Sequence, residues 1–225
     1  MINLLRKEIL IQRKSFFFAA SYSLFLLVVF NNPGYDLMAY VIGITAIAIV
    51  FCMNATSLDE RNKSSVIWRS LPIRHEDIVR SKYLSVFLYV IFGAVAMGAS
   101  GILLQLTPLS GIRYIQIHDL ILAIIFTMLA MSIYYPIIFR FTNQTFRYAG
   151  MAIFLIFFFF PNFFGGLILS RLHVNENDVS GWPEIVQTLV GTPFISLLII
   201  ATLATTAFYY VSYKLSVRFN KRLEL

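Results

Sequence analysis

Along its 225 residues the chain alternates long apolar runs with short polar connections. Six runs approach the ~20 apolar residues that a helix needs to cross a bilayer core: 16–30, 37–57, 83–106, 120–139, 148–160 (or on to 170) and 192–213. The runs are long and uninterrupted and do not alternate with period two, so they predict helices rather than strands. The first is short and ends in the turn cluster Asn31-Asn32-Pro33-Gly34. The fifth contains Pro161, which removes a backbone donor and is expected to break or kink the helix near Phe160. The predicted fold class is therefore all-α integral membrane, in one domain over 1–225, with no repeat or linker to divide it.

Composition agrees with this reading: 59% of the residues are hydrophobic and only 13% charged, about half the ~25% usual in soluble domains. The basic residues are sorted. Sixteen of the eighteen Lys and Arg fall in the N-terminal arm, the second connection, the fourth connection and the tail, leaving Arg113 and Arg171 for the other side. By the positive-inside rule this predicts six transmembrane helices with N- and C-termini cytoplasmic. The net charge of +7 then reflects topology, with no need for a nucleic-acid partner. The N-terminus lacks a small-residue cleavage site after its first apolar run, so that span is expected to stay in the mature protein.

The candidate chemistry is sparse. Cys52 is the single cysteine, and His75, His118 and His173 fall in three separate connections, so no shared metal site is expected. No Asp, Glu, Lys, Arg or His lies deep in a span, where each would cost ~2.5–3.5 kcal/mol and so tends to be functional. This counts against ion-coupled transporters and intramembrane proteases. Tyr134-Tyr135-Pro136 is read as a kink with hydrogen-bonded hydroxyls. The small residues of 93–101, including Ala94 and Gly98, favour close helix packing.

The connection 58–82 carries the most local structure. After Pro72 a helical pattern spans 74–82, with Glu76 and Asp77 in its first turn and Arg80 and Lys82 in its last, an order that suits the helix dipole. By residues alone it is either a helix lying on the headgroups or a docking helix for a cytoplasmic partner. The N-terminal arm is amphipathic, with Ile2, Leu5 and Ile9 against Arg6, Lys7, Arg13 and Lys14, as in an interfacial helix or a basic lipid anchor.

The stretch SLPIRHEDIVRSKYL, leading into the third span, resembles the cytoplasmic loop of permease subunits of ATP-binding-cassette (ABC) exporters of the type-2 class. The matching positions are Leu71, Pro72, Arg74, His75, Glu76, Ile78, Val79, Ser81, Lys82, Tyr83 and Leu84. The resemblance implies a coupling helix that docks on a separate ATPase through Ile73, Arg74, His75, Glu76, Asp77, Ile78, Val79, Arg80 and Lys82. It implies an interfacial connecting helix containing Leu5, Arg6, Lys7, Ile9 and Arg13, and a re-entrant or capping outer segment between spans five and six. The second and fifth helices would line the path, which makes Asn54, Phe157 and Phe160 candidate path residues. No GxxxxGK[ST] loop occurs, so the chain is not expected to be an enzyme, and ATP and Mg would belong to the partner ATPase.

A second permease copy, identical or different, would complete the path, and the location would be a bacterial plasma membrane. The scarcity of polar lining points to an amphipathic or hydrophobic cargo such as a peptide, antibiotic or lipid-like molecule. The alternative is a non-transporting immunity or sensor protein that binds a membrane-active peptide.

Overall fold

In the computed structural model the described residues are 2–12, 15–29, 36–62, 75–106, 114–140, 150–156, 159 and 194–222. They form α1 (Ile2–Ile11), α2 (Ser15–Val29), α3 (Asp36–Arg61), α4 (His75–Gln105), α5 (Ile117–Arg140) and α6 (Phe194–Arg222), and no strand occurs among them. Residues 150–156 add a further helical stretch. Among the described residues four stretches are long and apolar enough to cross a membrane: Ala39–Arg61, Glu76–Gln105, Ile117–Arg140 and Ile195–Phe219. The apolar helix α2, at 15 residues, reaches only ~22 Å at 1.5 Å per residue, short of a ~30 Å hydrocarbon core. Of the expected fifth span only 150–156 and 159 are among the described residues.

α3 is the central helix. Of its most apolar stretch 72% is buried, against 17% for α6. The exposed face of α6 is accordingly apolar, with Ile195, Ile199, Leu203 and Val211 turned outward, as suits a surface that meets lipid or another apolar helix. α4 lies close against α3 because glycines remove side chains from the crossing. A Cβ at Gly93 would stand 3.0 Å from the Ile44 carbonyl oxygen, and one at Gly43 would meet the tip of Met97. The close approach thus rests on Gly93 and Gly43. Gly98 meets only Ile115, at ordinary contact distance.

α5 and α6 are joined through a consequence of Pro136. Proline has no N–H to give to the carbonyl four residues back, which here belongs to Ser132. Ser212 Oγ of α6 donates to that carbonyl at 2.7 Å. An orphaned acceptor in an apolar layer thereby becomes an interhelical bond. At the start of α5 the Gln116 N–H donates to Asp119 Oδ2 at 2.9 Å, and the Asp119 N–H donates to the Gln116 carbonyl at 3.1 Å. This reciprocal arrangement satisfies donors that the first turn leaves open.

Basic side chains from distant segments share one end of the bundle. Lys7 of α1 and Lys82 of α4 both reach Asp59 of α3. Tyr135 of α5 bonds the Lys82 backbone, and Arg140 lies over the Phe219 ring of α6 at 5.5 Å. This is the basic end.

Candidate functional site

The basic end is organised around four charges and the first turns of α4. Lys82 Nζ lies 2.6 Å from Asp59 Oδ2 and 3.8 Å from Glu8 Oε1. Lys7 pairs with the other Asp59 oxygen and lies 4.0 Å from Glu8 Oε1. Tyr89 donates its hydroxyl to Glu8 Oε2 at 2.8 Å. Glu8, Asp59 and Lys82 are buried, and within the cluster two basic side chains are set against two acidic ones. Removing one partner of such a set typically costs ~3–5 kcal/mol. Gln12 continues the clasp by donating to the Phe51 carbonyl at 2.7 Å, and Asn54 donates to Ser15 Oγ at 2.7 Å.

α1 therefore turns Glu8 and Gln12 toward the bundle. Glu8 and Gln12 are buried, whereas Arg6 and Leu10 are exposed and Ile9 is half-buried. The helix is bolted to α3 and α4 through charge and amide contacts, in addition to any apolar contact with lipid. The side chain of Leu5 and all of Arg13 lie outside the described residues.

Residues 75–82 are continuous with the third apolar run, as the first two turns of the 31-residue α4. Their side chains divide by helical period. Glu76 and Arg80 are exposed and Asp77 is half-buried, while Ile78, Val79 and Lys82 pack inward. The apolar pair expected to meet a partner is thus part of this chain's own core. Glu76, Asp77 and Arg80 are left as the accessible surface among the described candidates. Ile73, Arg74 and the His75 side chain lie outside the described residues.

Where α4 enters the apolar layer, hydroxyls from α5 and α6 bind its backbone. Tyr135 donates to the Lys82 carbonyl at 3.1 Å, and Tyr209 donates to the Tyr83 carbonyl at 2.8 Å. The Tyr83 hydroxyl meets Ser212 Oγ at 2.7 Å and Ser216 Oγ at 2.8 Å. The proton order follows from one hydrogen per hydroxyl. Ser212 has given its hydrogen to the Ser132 carbonyl, so it accepts from Tyr83, and Tyr83 in turn accepts from Ser216. Tyr83 also packs its ring on Tyr135 and Tyr209, with centroids 4.8 and 4.9 Å away.

Beside this cluster a cleft of about 590 Å³ opens between α3, α5 and the helical stretch 150–156. It is lined by Val50, Met53, Asn54, Ser57, Tyr134, Met151, Phe154 and Leu155. The two methionine side chains make the wall adaptable in shape. Gly150 brings the third wall in, since a Cβ there would lie 2.7 Å from Met53 Cε and 3.1 Å from Tyr134 Cε2. The Tyr134 hydroxyl is buried, has Thr56 as a neighbour and closes no hydrogen bond among the described residues. Asn54, the polar path candidate, lines the cleft and also holds Ser15 at the start of α2. Phe157 and Phe160 lie outside the described residues; Met151, Phe154 and Leu155 are what the described part of that segment contributes.

Sequence reasoning did not single out Glu8, Asp59, Tyr89 or the Tyr83–Ser212–Ser216 chain. Each is one polar residue in an apolar or basic context, and the pairing across 81 residues between Glu8 and Tyr89 has no local signature. A partial signal was present in α1, where Glu8 and Gln12 sit four apart on one helical face, though Leu4 and Leu5 share that face.

The arrangement is that of a multi-pass helical membrane protein with a charged, hydrogen-bonded junction at one end. A family model described as "ABC-2 family transporter protein" matches residues 3–221, almost the whole chain. The chain belongs to this family and is a permease component of an ABC transporter. Membership implies an ATPase partner and a surrounding bilayer, and a role in transport that is not itself catalytic. No curated protein and no solved structure was found to match.

Proposed function

We propose that the chain is one of two permease subunits, paired with a second copy of itself or a related chain, that move an amphipathic or hydrophobic cargo out of a bacterial cell across the plasma membrane. The whole of 1–225 acts as one transmembrane domain of six spans, with both termini in the cytoplasm and a capping segment between the last two spans. ATP and Mg are handled by a separate ATPase that docks at the start of α4, through Glu76, Asp77 and Arg80 together with Ile73, Arg74 and His75. Alternating access follows from closure of two ATPases, passed into the bundle through 74–82.

The observation that carries this reading is the apolar cleft beside the basic end. Its rim offers only Asn54, Ser57 and Tyr134 as polar groups, which suits a molecule with an apolar body and a neutral hydrogen-bonding head. It lies within two turns of Asp59 on α3, close to the surface where the partner would push.

Co-purification of the tagged chain from its native membrane tests the proposal. An ATPase with a phosphate-binding loop, in near-equal amount, is the expected companion. Recovery of the chain alone, in detergents that spare other complexes, would sink the reading in favour of a stand-alone immunity or sensor protein.

A further inference from the structure

Two consecutive residues, Lys82 and Tyr83, collect polar links from every other long helix at the basic end. The Lys82 ammonium joins α1 through Glu8 and α3 through Asp59. Its carbonyl takes the Tyr135 hydroxyl from α5. The Tyr83 carbonyl takes Tyr209, and the Tyr83 hydroxyl joins Ser212 and Ser216, all on α6. On either side of this point α4 has a different character. Before it, Glu76 and Arg80 face outward; beyond it, Leu84, Phe87, Ile91 and Val95 present an apolar outer face.

We propose that Lys82 and Tyr83 are positioning residues that form the fulcrum of α4, so that a displacement of its first two turns becomes an opposite and larger displacement of its far end. The inference rests on the reading that a partner ATPase pushes on those turns. The helix runs from His75 to Gln105 without a break, so it transmits force as a rod. By ~1.5 Å per residue the arm before the fulcrum is ~11 Å and the arm beyond it ~33 Å, a lever ratio of about three. A shift of ~1 Å at the docking turns thus appears as ~3 Å at the far end. The fulcrum acts only while its links hold, and two of them depend on one ammonium.

The experiment uses the assembled transporter, with its ATPase, in nanodiscs. Spin labels are placed at Leu103 of α4 and Ile199 of α6, both exposed and both far from the fulcrum. The distance between them is read by pulsed electron resonance with and without ATP. The wild-type complex is expected to show an ATP-dependent shift of a few ångström. Lys82→Met or Asp59→Asn alone unbalances the cluster, whereas the double variant restores equal numbers of cations and carboxylates without the link. Were the cluster only structural, the double variant would recover both thermal stability and the ATP-dependent shift. A fulcrum predicts recovery of stability with the shift still lost, and retention of the shift in Lys82→Arg.

Tyr83→Phe, which keeps the ring and loses the hydroxyl chain to α6, gives a second route and is expected to reduce the shift. A normal shift in both the double variant and Tyr83→Phe overturns the fulcrum, as does a wild-type complex that hydrolyses ATP with no shift at all. Failure of the ATPase to assemble with the wild-type chain would instead defeat the coupling reading on which the fulcrum stands.

Discussion

Replacing Ser212 with alanine should destabilise the bundle, and the loss should depend on a proline in a different helix. The serine hydroxyl fills the acceptor that Pro136 leaves open at the Ser132 carbonyl. With the hydroxyl gone, that carbonyl stays buried and unpaired, at a cost of ~1–3 kcal/mol. Interhelical hydrogen bonds measured in membranes average ~0.6 and reach ~1.7 kcal/mol, so ~1.5 kcal/mol is the expected effect, or about tenfold in the unfolding equilibrium. In a Pro136→Ala background the new N–H can serve the same carbonyl, and Ser212→Ala should cost about 1 kcal/mol less. Ser212 also accepts from Tyr83, but that loss is common to both backgrounds and cancels in the cycle.

The molecule supplies its own reporter for this measurement. Cys52 is the single cysteine and is 1% exposed, so a thiol-reactive dye should label it in proportion to the unfolded fraction along an SDS titration in mixed micelles. Equal costs of Ser212→Ala in the two backgrounds would refute the assignment of the hydroxyl to the proline's orphaned acceptor.

Three further outcomes are expected. Gly93→Ala should lower stability by ~1–3 kcal/mol, because the new Cβ meets the Ile44 backbone at 3.0 Å; Gly43→Ala should cost less, since it meets only the flexible tip of Met97. The same cysteine-labelling titration ranks them, and the reverse order would contradict the packing argument. Glu76→Arg should cut ATPase co-purification with stability unchanged, whereas Ile78→Arg should unfold the chain by burying an unpaired charge at a 6% exposed position; a stable Ile78→Arg chain would contradict its inward placement. A cysteine at Tyr114 should react in intact cells with an impermeant thiol reagent, and one at Glu76 only after permeabilisation. The opposite pattern would invert the proposed topology.

The long helices were legible in the sequence because length and hydropathy act locally: α3 and α5 cover the runs at 37–57 and 120–139, and α6 takes in 194–213 of the run at 192–213 and continues to Arg222. Family membership was legible too, through a short motif supported by charge sorting. What stayed hidden depends on distance along the chain. Nothing near Pro136 announces that Ser212, 80 residues from the carbonyl it serves, will complete its helix. Ile78 and Val79 look like a docking patch when 74–82 is read alone, and become core once those residues extend into α4, because helical period then sets them on the face shared with Lys82, Tyr83 and Val86. The arm was read by its leucines and isoleucines, although Glu8 and Gln12 fix its seat.

The polar seating of α1 has a bearing on how the protein is made. Glu8 receives its hydrogen bond from Tyr89, 81 residues later, and at ~5–20 residues per second that partner is synthesised ~4–16 s afterwards. On the proposed topology the arm's four basic residues orient the first span before their folded-state partners exist, since Asp59 follows Lys7 by 52 residues and Tyr89 follows Glu8 by 81. On that topology the segment is expected to act first as a topogenic signal for the insertion machinery and only later as a structural part, and arm-neutralising mutations should sort by timing: one class misorients the nascent chain, the other leaves a correctly inserted chain with a loose first helix.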